Sequence, residues 1–274
     1  MNSTASVAQP TRQAYESDLT DYEWPQLERD VQQSPGPGRK RTVDIREILN
    51  AILYLNRTGC QWRMLPHDLP YWQHVAYYFY TWVEDGTLER INQRLRLQIR
   101  TSLGREPDPS AAVIDSQSVK TTEQAGERGF DAGKQVKGRK RHILVDTLGL
   151  LIRVLVNSAG VADRDGATAI FDATAGMLPR LKRVWADQNY AGMLVEWVHR
   201  FFAFVLDIVR RPEQQQGFEV LPKRWIVERT FGWFNRYRRL SKDYERQTKT
   251  SEGMVCLASI RRMLRWLDRH RKPS

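Results

Sequence analysis

The sequence predicts an α/β protein, a mixed sheet covered by helices, with a small all-α unit ahead of it. Three observations carry that prediction. From Asp44 to Leu103, apolar residues recur at helical spacing with short joints between the stretches. At 104–110, Gly-Arg-Glu-Pro-Asp-Pro-Ser breaks the pattern and reads as a linker. Beyond it, short β-type runs alternate with helical stretches.

Residues 1–17 are polar and read as a flexible tail, without the apolar stretch of a signal peptide. Ser17-Asp18-Leu19-Thr20-Asp21 offers helix caps before Trp24 and Leu27. The prolines and glycines of 32–42 predict a basic loop. Asp44 and Glu47 form a capping box, and Ile45, Ile48, Leu49, Ile52 and Leu53 follow on one helical face until Gly59. Pro70 opens an aromatic helix, Tyr71 to Val83, whose apolar surface is too large to be anything but mostly core. Gly86-Thr87 separates it from a helix over Leu88 to Leu103. Residues 18–103 are thus a helical head, and helix-turn-helix units in a basic protein point to DNA binding.

The second part, 111–274, begins with the apolar run Ala111–Ile114. His142–Val145 and Leu150–Val156, joined by Asp146-Thr147-Leu148-Gly149, predict a hairpin. Helices are expected over Asp165–Leu178, Tyr190–Phe202, Pro222–Leu240 and Ser251–Leu267, with strands at Arg183–Ala186 and Phe204–Val209.

A formal net charge of +11 and a pI near 9.8 attract polyanions, with nucleic acid the default partner. Cys60 and Cys256 make no disulfide framework and lack zinc-site spacing. No stretch approaches the ~20 apolar residues of a membrane span. A cytoplasmic protein acting on nucleic acid is the expectation.

Three acids stand out. Asp115 and Asp187 each follow a short apolar strand run, and parallel neighbouring strands would set them side by side. Glu228 lies among arginines on a helix, about 200° from Ile226 and so off its apolar stripe. Carboxylates are hard ligands for divalent cations, and a metal pair about 3.5–4 Å apart drives phosphodiester chemistry. The competing reading of Glu228 is ion pairing with Arg224 and Arg229. Asp163 and Asp165 read as helix caps, Asp146 as a turn residue, and Asp207 lies inside a strand run. Spacing alone does not choose the set.

Two basic segments are candidate DNA contacts. Lys134, Lys137, Arg139, Lys140 and Arg141 precede the hairpin in a glycine-containing stretch. Arg224, Arg229, Arg236 and Arg239 interleave with Trp225, Phe231, Trp233, Phe234 and Tyr237, a pattern that holds phosphates and stacks bases. The last helix adds Arg261, Arg262, Arg265, Arg269, Arg271 and Lys272.

From about Ser17 to Leu267 the chain resembles bacterial insertion-sequence transposases of the DDE type, insertion-sequence-five group. In the head the resemblance rests on Leu19-Thr20-Asp21-x-x-Trp24 and Arg57-Thr58-Gly59-Cys60-x-Trp62-Arg63-Met64-Leu65-Pro66. In the second part it rests on Asp115-Ser116-Gln117-Ser118-Val119-Lys120, Asp163-Arg164-Asp165-Gly166, Ala186-Asp187-x-x-Tyr190 and Arg224-Trp225-x-Val227-Glu228-Arg229-Thr230-Phe231. It implies a ribonuclease H-like domain with Asp115, Asp187 and Glu228 as catalytic metal ligands for two Mg²⁺ or Mn²⁺ ions. It further implies cutting of the element's terminal inverted repeats, strand transfer into target DNA, and a homodimer on DNA at the bacterial nucleoid. The family's signature around the last acid has Tyr and Lys where this chain has Leu221 and Asn235. A nuclease of the same fold that does not join strands and a non-catalytic DNA-binding derivative are the alternatives.

Overall fold

The computed structural model describes residues 12–31, 43–209 and 223–271. The expected basic loop at 32–42, the first part of the expected tail, and Leu221 lie outside the described residues. Residues 12–17 are tied to the head. Arg12 pairs with Asp18 and Glu47, and the Tyr15 ring packs on Tyr54 at 4.7 Å.

Thr20 and Glu23 exchange side-chain and backbone hydrogen bonds at 3.0 and 3.2 Å, a capping box just ahead of α1 (Pro25–Val31). The Asp44 carboxylate accepts from the amides of Arg46 and Glu47 at the start of α2 (Ile45–Thr58), and the Gly59 amide closes that helix on Leu55 O. Two more helices complete the head, α3 (Trp72–Glu84) and α4 (Thr87–Ser102).

Six strands follow: β1 (Ala111–Lys120), β2 (Gly129–Asp131), β3 (Val136–Asp146), β4 (Leu151–Ser158), β5 (Arg183–Ala186) and β6 (Val205–Ile208). Their order is β2-β3-β1-β5-β6, with β4 also pairing with β3. Pairings to β3 are antiparallel, whereas β1–β5 and β5–β6 are parallel. β1 runs well past its apolar start because Ser116–Lys120 continue the ladder with Gly138–His142. Helices α5 (Asp163–Ala173) and α6 (Met193–Phe201) cover one sheet face over Ala112, Ile114, Leu144 and Val184. The other face, with Val113, Ile143, Val145 and Trp185, joins one continuous core with α7 (Arg224–Phe234), α8 (Thr248–Arg269) and the head.

Helix α8 is the common support, buried along most of its length and packed on α2, α3, α4 and β4. At Gly253 an added Cβ would lie 2.4 Å from Val83 Cγ2, so only glycine admits α3 this close. The hairpin turn is fixed to the head by Asp146. One of its oxygens accepts from the amides of Leu148 and Leu150, and the other from Arg100 Nη1 at 2.7 Å in a buried ion pair.

Helix α7 ends at Phe234, short of the expected Leu240. Its buried stripe is Ile226, Val227, Thr230, Phe231 and Phe234. The chain then makes a 3-10 turn over Arg238–Leu240, which lets Arg239 reach Glu245 at 2.8 Å and Cys60 O at 3.1 Å. Cys60 and Cys256 are both free. Among the described residues no helix is long and apolar enough to cross a membrane.

Two outcomes follow from buried charge. Arg139 and Asp243 are fully buried partners at 3.2 Å, and the remaining Arg139 donors go to carbonyls of Glu127, Glu245 and Arg246. Arg139→Met should lower the unfolding free energy in urea by about 3–5 kcal/mol, because Asp243 loses its partner; a change under about 0.5 kcal/mol would contradict this role. Glu252 accepts from Val156 N at 2.8 Å, and burial pushes its carboxyl up to about 7. A folded value above the unfolded one means the protonated form stabilises, and that contribution is lost as pH rises through about 7. Glu252→Gln keeps an acceptor and removes the charge. Its melting temperature should match the parent near pH 4.5 and exceed it by about 2–4 °C at pH 8; a gain independent of pH would contradict the assignment.

Candidate active site: three acids around one arginine

Strands β1 and β5 lie side by side and parallel, with Val113 level with Trp185. Two residues further along each strand direction stand Asp115 and Asp187. Side chains alternate across a sheet, so both acids share the face of Val113 and Trp185, toward α7. Asp187 caps the 3-10 turn Gln188–Tyr190 by accepting from Asn189 N at 2.9 Å. Asp115 is half-buried and accepts from Ser116 N at 2.7 Å.

Glu228 comes from α7, which packs against β1, and its side chain is 54% exposed. Arg224, one turn earlier, sits between two acids: its Nη2 lies 3.7 Å from Asp187 Oδ2 and 3.6 Å from Glu228 Oε1. The sequence-level alternative of a Glu228–Arg224 ion pair is therefore real, but the same guanidinium also binds the strand-end acid. Burial pushes the Asp115 carboxyl up to about 6; the Asp187 charge adds to this, and the Ser116 amide, Arg224 and Lys134 oppose it.

The residues fit divalent cations by donor chemistry and by charge. Three hard carboxylates come from three segments, and the Asp187 charge lies close enough to act on the Asp115 carboxyl. As placed, no group of three His, Cys, Asp or Glu side chains among the described residues stands close enough to hold a metal. The side chain between Asp187 and Glu228 is Arg224.

On the opposite sheet face a second polar cluster supports β1. Ser116 Oγ donates to Asp163 at 2.8 Å, and Lys140 Nζ lies 3.0 Å from Asp163 and 3.6 Å from Asp131. Asp163 was expected to cap α5. The N-cap position is instead Ala162, which makes no side-chain bond, and the Asp163 carboxylate turns to the sheet. His142 is buried, bonded through Nε2 to Asn157 at 3.2 Å, and held neutral, its value pushed down to about 4 by burial. Its ring fills the space over Gly166, where a Cβ would come within 2.2 Å. Its role is structural, packing the sheet against α5.

The basic segments divide in two. Arg139, Lys140 and Arg141 are interior residues of β3, the strand between β1 and β4. Arg141 donates to Leu240 O at 2.7 Å, and Lys140 to Val161 O at 2.9 Å. Arg239 is likewise buried on Glu245. These four do not face solvent, and the structure removes them from the set of expected DNA contacts. Lys134, Lys137 and Arg236 are exposed.

Arg229 stacks between Trp225 and Trp233 at 4.2 and 4.5 Å, and Arg262 lies 3.3 Å from the Trp233 ring centre. These residues line a cavity of about 730 Å³ between the head and helices α7 and α8, together with Arg57, Arg236, Arg261, Arg265 and Arg269. Glu16 is the acid in its wall. Burial, then Arg229, pushes Arg262 down to about 9, and Asp146 opposes this. The arginines of the last helix signalled one wall; Arg57 was marked in sequence as part of a family motif, with nothing to place it beside that wall.

Residues 106–261 match the family described as "Transposase DDE domain", and residues 19–92 match "Putative transposase of IS4/5 family". The chain is 29% identical over 117 residues to "Uncharacterized protein y4sN" of Sinorhizobium fredii, covering 42% of this chain and 87% of the relative. It is 25% identical over 139 residues to "Putative transposase for insertion sequence element IS402" of Burkholderia cepacia, covering 46% of this chain and 65% of that protein. The mixed sheet and its flanking helices agree with the ribonuclease H-like architecture expected of such a domain, and the chain belongs to the DDE transposases of the IS4/IS5 family.

Proposed function

We propose that this chain cuts insertion-element ends and transfers the 3′-hydroxyl strand into target DNA, with Asp115, Asp187 and Glu228 as its catalytic metal ligands. The observation that carries the proposal is the parallel β1–β5 register, which sets two acids on one face beneath the helix that brings the third. The site would hold Mg²⁺ or Mn²⁺ as a pair. When bound, the cations supply activation of the attacking oxygen and stabilisation of the leaving oxygen in an in-line displacement at phosphorus.

The chain's own residues do the rest. Asp115 and Asp187 are fixed by the sheet and by a capped turn, so their oxygens need little reordering. Glu228, the more exposed, closes the set from α7. Lys134, whose Nζ donates to Ser116 O, and exposed Lys137 and Arg236 would contact the DNA backbone. The arginine cavity between the head and α8 extends that basic surface. Two element ends must be cut together, which supports a homodimer on DNA.

Cleavage of duplexes carrying the terminal inverted repeats should require Mg²⁺ or Mn²⁺ and fall to background in Asp115→Asn, Asp187→Asn and Glu228→Gln, while DNA binding in chelator stays within about threefold. Full cleavage by any of the three removes that residue from the site; pre-cut ends that are never joined favour a nuclease; binding without cleavage under any cation favours a non-catalytic DNA-binding protein. Single changes Lys134→Gln, Lys137→Gln or Arg236→Gln should each reduce the slope of log affinity against log salt by about 1. An unchanged slope would place that residue away from phosphate.

A further inference from the structure

The start of α7 is clasped to the end of β5 by two successive cations. Lys223 has φ 73°, a strained value for a residue with a side chain, and its ammonium lies 3.9 Å from the Trp185 ring centre. Arg224 then reaches Asp187, two residues beyond Trp185, and Glu228 on its own helix. At 3.7 and 3.6 Å these contacts are longer than the roughly 2.7–2.9 Å of charge-assisted hydrogen bonds. The guanidinium is therefore held by charge rather than locked by geometry, and its side chain keeps 22% exposure. Such a group can exchange partners without breaking a hydrogen-bond network.

We propose that Arg224 is a resident counter-ion of the acidic centre, keeping the place of a divalent cation between Asp187 and Glu228 and yielding it when a DNA phosphate offers a replacement partner. This rests on the metal reading of the three acids and adds a coupling to it. Without DNA, Arg224 competes with the metal. With DNA, the guanidinium is drawn to phosphate and the carboxylates are freed. Metal binding and DNA binding then strengthen each other by the same factor, as linkage requires. Arg224 is thus a positioning residue that couples the two, and it limits loading of the centre away from DNA.

The test is calorimetric titration of the full chain with Mn²⁺, and anisotropy of a labelled terminal-repeat duplex with and without Mn²⁺. Without DNA, Arg224→Gln should bind Mn²⁺ about five- to tenfold more tightly than the parent, whereas a merely structural arginine predicts equal or weaker binding. Arg224→Lys keeps the charge and should stay within about twofold of the parent. Mn²⁺ should tighten duplex binding by the parent about five- to tenfold and leave that of Arg224→Gln nearly unchanged. Equal or weaker metal binding by Arg224→Gln, or no effect of Mn²⁺ on duplex binding by the parent, overturns the proposal. If the parent binds no Mn²⁺ that Asp187→Asn abolishes, the metal reading fails and this inference with it; saturable binding by the parent alongside an unaltered Arg224→Gln sinks this inference alone.

Discussion

The parallel pairing of β1 with β5 is the constraint on which the rest of the site depends. Parallel neighbours cannot be joined by a tight turn, so the chain must travel through β3, β4 and α5 before β5 docks beside β1. Register then decides chemistry. A slip of one residue would turn one of the two acids to the α5 face, because side chains alternate with a period of two. The apolar residues enforce the correct register: Ala112, Ile114, Val184 and Ala186 are buried on one face, Val113 and Trp185 on the other. The positions of Asp115 and Asp187 are thus consequences of core packing, set by neighbours that carry no chemistry.

Positive charge has two separate uses in this molecule. Arg139, Arg141, Arg239 and Arg100 are interior bolts that bind carbonyls and buried carboxylates across elements distant in sequence. Arg229 and Arg262 also donate to carbonyls, of Leu148 and Gly149, and Arg261 pairs with Glu23, but with their neighbours on α7 and α8 they line a cavity. The first set organises the fold around Asp146, Asp243 and Glu245. The second leaves a field that a polyanion would relieve. Net charge read from composition merges the two, although only the second bears on DNA.

Much of the fold was legible where local physics is strong. The Asp44 cap, the Gly59 stop, the hairpin around Asp146 and the short β5 run each follow from their own residues and neighbours. The two strand-end acids were legible for the same reason, and family motifs selected them from Asp146, Asp163 and Asp165. The interior role of Arg139, Lys140 and Arg141 was not legible. A basic run looks like a solvated loop until Asp243 and Glu245, about a hundred residues later, are folded against it. The early end of α7 was hidden likewise, since Tyr237 and Leu240 continue a helical stripe in sequence but pack from a turn. Arg224 was expected as a DNA contact or as an ion-pair partner of Glu228; its reach to Asp187 emerged from tertiary geometry.

The most direct measurement of the central claim is anomalous X-ray scattering from crystals of the protein with Mn²⁺ and terminal-repeat DNA. The account predicts manganese density bounded by Asp115, Asp187 and Glu228, with the Arg224 guanidinium withdrawn from between Asp187 and Glu228. Manganese bound elsewhere, with Arg224 still bridging those two acids in the presence of DNA, would contradict it.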